Sequence, residues 1–245
     1  MTDKENDTGQ DLLGIAPLGR AVERLTDSAL SGAEAILSRI CLPAAEEFGL
    51  LFRDKVSAWR TQNAVKLLQR TETLLAGAGT ERVHAPPRLV HAILENASWT
   101  DANDVQEMWA GLLASSCTPK GDDDGNLIFV NLLSQLTRMQ ARLFQFSCET
   151  AQKIVHLNGL IGAGSLMCDA ARLKEICGTD DIHRIDRELD HLRGLGLIAA
   201  GFDIGLAGEP IADLAPSPLG LNLYVRCRGS RQNPIEFFVL SQDKL

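Results

Sequence analysis

Between Pro86 and Cys117 the apolar residues fall at helical intervals twice over, with a polar break in between. Leu89, Val90, Ile93, Leu94 and Ala97 form one stripe; Val105, Met108, Trp109, Leu112 and Leu113 form a second. Steps of three and four residues gather side chains on one side of an α-helix, whereas a strand repeats every two. The chain is thereby held to helices that lean on one another through such stripes. Pro86 and Pro87 suit the first turn of the earlier helix, where the missing N–H would be unpaired anyway. Asp101, in "SWTDAND", is placed to cap the later one. Upstream, the helical pattern runs from Ser28 to about Leu75 with Pro43 and Gly49 as joints, and "AGAGTERVHAPP" is a loop.

Downstream, Leu127, Leu133, Leu136, Met139 and Leu143 predict a helix reaching roughly to Val155. After residue 157 the texture changes. "GSLMCDAARLKEICG" and "TDDIHRIDRELDHLRGLGLI" read as two short helices parted by Gly178, the second capped by Thr179 or Asp180. A strand "LIAAGFDI", a Gly- and Pro-rich loop, a hairpin-like tail "SPLGLNLYVRCRG" and an apolar end "IEFFVL" follow. That order is the one expected of a winged helix-turn-helix. The expectation is a mainly α protein: a polar tail over 1–27, a helical domain over 28–125, and a winged-helix-like domain over 126–245 with a small β-hairpin.

Charge and composition narrow the function classes. A net charge of −8 argues against a chain built mainly to coat nucleic acid, and an aromatic content of 5% against a base-stacking platform. The six cysteines contain no CxxC pair, so buried reduced thiols of a cytosolic protein are the plain reading. "MTDKENDTGQ" is polar and acidic, unlike a secretion signal, and the longest uncharged apolar run, "GLIGAGSLMC", is far short of a membrane span. A cytoplasmic chain with no membrane span, no cofactor and no metal is expected.

Several stretches invite a sharper chemistry. "GLIGAG" lacks the preceding strand of a dinucleotide fold and the Lys-Ser or Lys-Thr of a Walker loop, so a connection between helices is the simpler reading. The carboxylates of "TPKGDDDGN" are consecutive rather than alternating, unlike a calcium loop. His183, Asp186 and His191 share a charged helix and give a conceivable metal-dependent hydrolase or nuclease centre, although a solvated charged helix is the favoured reading. A winged helix would offer DNA its second helix. Here residues 180–193 carry five carboxylates against three arginines, so DNA contacts would fall to Arg226, Arg228 and Arg231 near the tail. Charge disfavours nucleic acid; a winged helix used for packing or protein contacts fits better.

One helix carries an anomaly. Along "GLLFRDKVSAWRTQNAVKLL", Phe48, Phe52, Val56, Trp59 and Leu67 share one face, and Asn63 lies on that same face with Arg60 beside it. In one reading Arg60 lays its stem along the stripe and reaches water, and Asn63 bonds a neighbouring helix end. In the other, Lys55, Arg60 and Asn63 form a polar notch for an anionic or backbone ligand. Spacing favours the first.

"PAAEEFGLLFRDKVSAWRTQNAVKLLQRTETLL" and "ILENASWTDANDVQEMWAGLLASS" resemble the abortive infection protein alpha family, a bacterial domain family associated with resistance to phage. Gly49, Asp54, Lys55, Trp59, Arg60 and Asn63 carry the resemblance in the first stretch. Glu95, Ala97, Glu107, Trp109, Ala110, Leu112 and Leu113 carry it in the second. It extends to "LGLI" and "SPLGLNLYVRC", covering about residues 40–228, with an acidic insert at 120–125 as this chain's departure. The resemblance implies a role in phage defence through sensing infection and stopping host growth, and it supplies no catalytic residues. Lys55, Trp59, Arg60, Asn63, Glu107 and Trp109 become the candidate notch or interaction site. The expected function is a non-enzymatic defence component whose partner is a protein, a phage component or a second copy of the chain. The last possibility rests on the apolar surface between Ala29 and Leu42, which reads as wider than one helix stripe.

Overall fold

The structure, a computed structural model, describes residues 27–44, 55–77, 83–199, 201–204 and 210–240. Expectations for the N-terminal tail, Phe48, Gly49, Phe52 and Asp54, and for the side chains of Lys55 and Val56, lie outside the described residues. The elements run α1 (Asp27–Ile40), α2 (Lys55–Gly77), α3 (Pro87–Ala97), α4 (Asn103–Ser116), α5 (Leu127–Leu133) and α6 (Arg138–Thr150). There follow β1 (Lys153–Val155), β2 (Ile161–Ala163), β3 (Met167–Asp169), α7 (Ala170–Cys177), α8 (Ile182–Gly194), β4 (Phe202–Ile204), β5 (Pro210–Asp213) and α9 (Pro218–Cys227), then a π-helical turn at Glu236–Leu240. The protein is mainly helical with small antiparallel sheets.

The centre of the fold is α4, against which α2, α3, α5, α6 and α9 all pack. Its expected apolar stripe is buried, and so are Ala110, Gly111, Ala114, Ser115 and Ser116 on its other sides. These small residues let neighbours approach from every direction but that of Glu107. At Gly111 the approach is extreme: a Cβ there would stand 1.8 Å from the carbonyl oxygen of Cys227 in α9. Asp101 does not cap α4. Its N-cap is Ala102, and Asp104 accepts from the Val105 N–H and from Arg138 and Arg142 of α6 at 3.2 and 3.3 Å. Burial pushes the Asp104 carboxyl up, but these bonds hold it below the usual range.

The outward face of α1 is narrower in its apolar content than expected. Ala33, Ile36, Leu37 and Ile40 point into the core, while Gly32, Glu34, Ala35, Ser38 and Arg39 face outward. This is a single stripe, with Leu42 exposed beyond the helix.

The helix predicted from Leu127 to Val155 is broken. α5 stops at Leu133, and α6 restarts behind Thr137, whose hydroxyl accepts from the Gln140 N–H at 3.2 Å while the Gln140 side chain accepts from the Thr137 N–H at 3.0 Å. This reciprocal capping box meets two of the donors a helix start leaves unpaired. Beyond α6 the "QKIVH" segment is a strand rather than helix, paired antiparallel with "GLIGAG" through Lys153–Ala163, Ile154–Gly162 and Val155–Ile161. The connection between helices expected at 159–164 is therefore a hairpin strand.

β3 leads into α7, capped by Asp169, which ends at Gly178 in the left-handed conformation (φ 66°). α8 is capped by Asp181, one residue later than expected. β5 lies between β3 and β4, antiparallel to both. The strand expected at "LIAAGFDI" occupies only its end, and "SPLGLNLYVRC" is helix α9 rather than a hairpin arm. Ser217 caps α9 and Pro218 opens it, the side chain of Ser217 accepting from Gly220 N–H. All six cysteines are buried and none is in a disulfide. Among the described residues no helix is long and apolar enough to cross a membrane.

Candidate interaction site

The N-terminal half of α2 meets the end of α3 through a set of polar contacts. Arg60 Nη2 donates to Glu95 Oε2 at 2.7 Å and Arg60 Nε donates to Ser98 Oγ at 3.0 Å. The guanidinium lies over the Trp99 ring, 4.3 Å from its centre, close enough for a cation–π contact. Trp99 Nε1–H donates to the other Glu95 oxygen at 3.2 Å, so the carboxylate is held on both sides. The hydrogen bond from Arg60 holds the Glu95 carboxyl below its ordinary range, against an opposing push from burial and with help from Trp99. The Trp59 ring packs beside Trp99 at 6.4 Å between centres, tilted by 56°.

Asn63 reaches the end of a neighbouring helix. Its Nδ2 donates to the carbonyl of Ser98, the residue that closes α3, at 3.0 Å. Gln106 does the same work from α4, donating to the Ala97 and Thr100 carbonyls at 2.8 and 2.6 Å. Carbonyls at a helix end lack internal partners, and two side-chain amides supply them here. The oxygens of both amides are buried without a partner.

Arg60 does not run out to water along the stripe. Its side chain is only 15% exposed, and its charge is matched inside the cluster. What faces solvent is the Trp99 indole, 54% exposed and braced from below by a cation. An amphipathic ring with few free rotations on a rigid base is the side chain most often found at the energetic centre of protein interfaces.

The remaining candidates lie elsewhere. Trp109 is 2% exposed and belongs to the core. Glu107 sits on the opposite part of α4, in a cleft of about 330 Å³ whose walls include Arg70, Met108, Gln145, Tyr224 and Arg228. Arg226 donates to the Ser230 carbonyl at 2.9 Å and Arg231 to the Cys117 carbonyl at 3.1 Å. Arg228 lies over the Tyr224 ring at 5.9 Å. On α8, His191 Nδ1 is 2.9 Å from Gln140 Nε2. His183, Asp186 and His191 form no metal cluster; among the described residues no three His, Cys, Asp or Glu are gathered to hold an ion.

Trp99, Glu95 and Ser98 were absent from the sequence-derived site. The signal was present in "SWTD", where a tryptophan stands in a polar break and outside either apolar stripe.

These features define a mainly helical protein with small antiparallel sheets and a charge-neutral, tryptophan-bearing clasp between two of its helices. The chain belongs to the abortive infection alpha family, whose model matches residues 61–214, more than half of its length. The matched span takes in Asn63, Glu95, Trp99, Glu107 and Trp109, and leaves out Lys55, Trp59, Arg60 and the three tail arginines. Comparison with curated proteins and with solved structures gives no match.

Proposed function

We propose that the chain is a component of abortive-infection defence against phage and that it acts through protein contacts rather than by catalysis. Family membership supports the first half of this reading. The observation that carries the second is the clasp: Arg60 and Glu95 neutralise each other, and Trp99 is left presented to solvent on a fixed support. The partner is another protein or a second copy of the chain. Sedimentation that returned only a 26.6 kDa species at micromolar concentration would remove the second copy.

The test is phage challenge of bacteria expressing the chain, at low and high phage-to-cell ratios, beside Trp99→Ala. Wild type protects at the low ratio and the culture collapses at the high one. Trp99→Ala loses protection while its thermal midpoint stays within a few degrees. Protection by Trp99→Ala equal to wild type would move the contact to another face.

A second reading is a winged-helix DNA-binding regulator. It is favoured by the element order α6–β3–α7–α8–β4–β5 with the first strand beside the last, which is the order of a winged-helix module. Its predicted recognition helix, α8, balances three carboxylates with three arginines, and the two aspartates that precede it, Asp180 and Asp181, turn that end of the module negative. Salt-dependent binding to duplex DNA, abolished by Arg226→Glu with Arg228→Glu, would establish this reading over the first.

A further inference from the structure

The cleft beside Glu107 collects chemistry that neither the clasp nor the family assignment uses. It lies where α2, α4, α6 and α9 converge. Arg70 comes from α2, Met108 from α4, Gln145 from α6, and Tyr224 from α9, with Arg228 just beyond it. Arg70 Nη2 is anchored to Asn103 Oδ1 at 2.9 Å, which fixes the direction of the guanidinium. Arg70 Nη1, however, is buried and has no hydrogen-bond partner. An orphaned donor on a cationic group is costly, and an anion drawn against Arg70 would relieve that cost once the guanidinium turned Nη1 toward the cleft. Arg228 is the second cation, exposed just past the end of α9, and among the described residues its guanidinium is held by its contact with the Tyr224 ring. No carboxylate among the described residues stands within ion-pair distance of either guanidinium, although Glu107 lines the same cleft.

With two guanidiniums against the one carboxylate of Glu107, the cleft keeps an excess positive charge that suits an anion. A carboxylate brings one negative charge and two oxygens. A phosphomonoester brings nearly two charges and three oxygens, the better match to a pair of planar donor groups. The cleft is also larger than a bare phosphate, at the lower end of the range for small-molecule sites. Met108 and the Tyr224 ring supply an apolar wall, and Glu107 and Gln145 supply acceptors for hydroxyl or amino groups. We propose that this cleft binds a small phosphomonoester with a hydroxylated or heterocyclic body, its phosphate seated between Arg70 and Arg228 and its donors facing Glu107.

The experiment is titration of the full chain with inorganic phosphate, glucose 6-phosphate and the ribonucleoside monophosphates, followed by calorimetry and by the guanidinium NMR resonances. At least one monoester binds about tenfold more tightly than inorganic phosphate, the affinity falls with salt, and the Arg70 resonance moves. Arg70→Gln weakens that binding by about tenfold or more, and so does Arg228→Gln, whose guanidinium makes no hydrogen bond that the fold needs. Circular dichroism identical to wild type shows that each variant is folded. Trp99→Ala binds the monoester as wild type does, which separates this site from the clasp. Equal, weak binding of every anion, or binding unchanged in both arginine variants, overturns the proposal. The readout is independent of whether the chain protects cells.

Discussion

Asn63 shows how much one buried amide can hold. Its Nδ2 closes the end of α3 at the Ser98 carbonyl, 35 residues away in sequence. Asn63→Ala leaves that carbonyl unmet in the interior and should lower unfolding free energy by about 1–3 kcal/mol, read from urea denaturation. Asn63→Asp should be worse, because a carboxylate would face the carbonyl oxygen. Glu95 adds a pH signature. Its folded pKa is depressed by Arg60, so the clasp adds stability at neutral pH that is lost as pH falls below the ordinary glutamate range and through the folded value. The stability gap between wild type and Glu95→Gln should therefore shrink steadily on acidification through that window, and a gap that stays constant to low pH would refute the pairing. The anomaly itself was legible: helical spacing put an amide on an apolar stripe. Its partner was not, because periodicity places residues on a face without saying which helix end arrives there.

At the scale of elements, the long amphipathic helices were readable because each repeats its apolar spacing over three or more turns. The short ones were not. The break before α6 is written as Thr137-x-x-Gln140, a capping box hidden inside a run whose apolar spacing continues across it. β1 and β2 have three residues each, too few to display a period of two. α9 was announced by Ser217 and Pro218, a cap and a first-turn proline, yet its glycine invited a turn. Thr137 does a second task. Its hydroxyl donates to Glu188 Oε2 of α8 at 2.9 Å, so one side chain both starts α6 and ties it to α8. Thr137→Val should cost about 1–2 kcal/mol and Thr137→Ser much less, measured as the shift in denaturation midpoint. A larger loss in Thr137→Ser than in Thr137→Val would show that the methyl group, not the hydroxyl, matters.

For the whole molecule, the proposed division near residue 125 has to be weighed against the return of α9 to α4. One continuous core runs from Ala33 to Cys227, and the Gly111–Cys227 approach lies in the middle of it. We expect calorimetry to show a single cooperative transition. Gly111→Ala should lower stability by about 3 kcal/mol or more, since the obstruction is backbone and cannot rotate away. Two separate transitions in wild type would instead mark independent domains. The sealed interior has a practical use. Burial pushes the Cys177 thiol up to about 11 and the Cys117 thiol up to about 12, and it raises Cys148, Cys168 and Cys227 as well. Thiols this reluctant to ionise react slowly with maleimides while the fold is intact. A single cysteine introduced on the surface beside Trp99 would then take a fluorophore or crosslinker selectively, making the native chain its own blank when that face is tested for a docking partner.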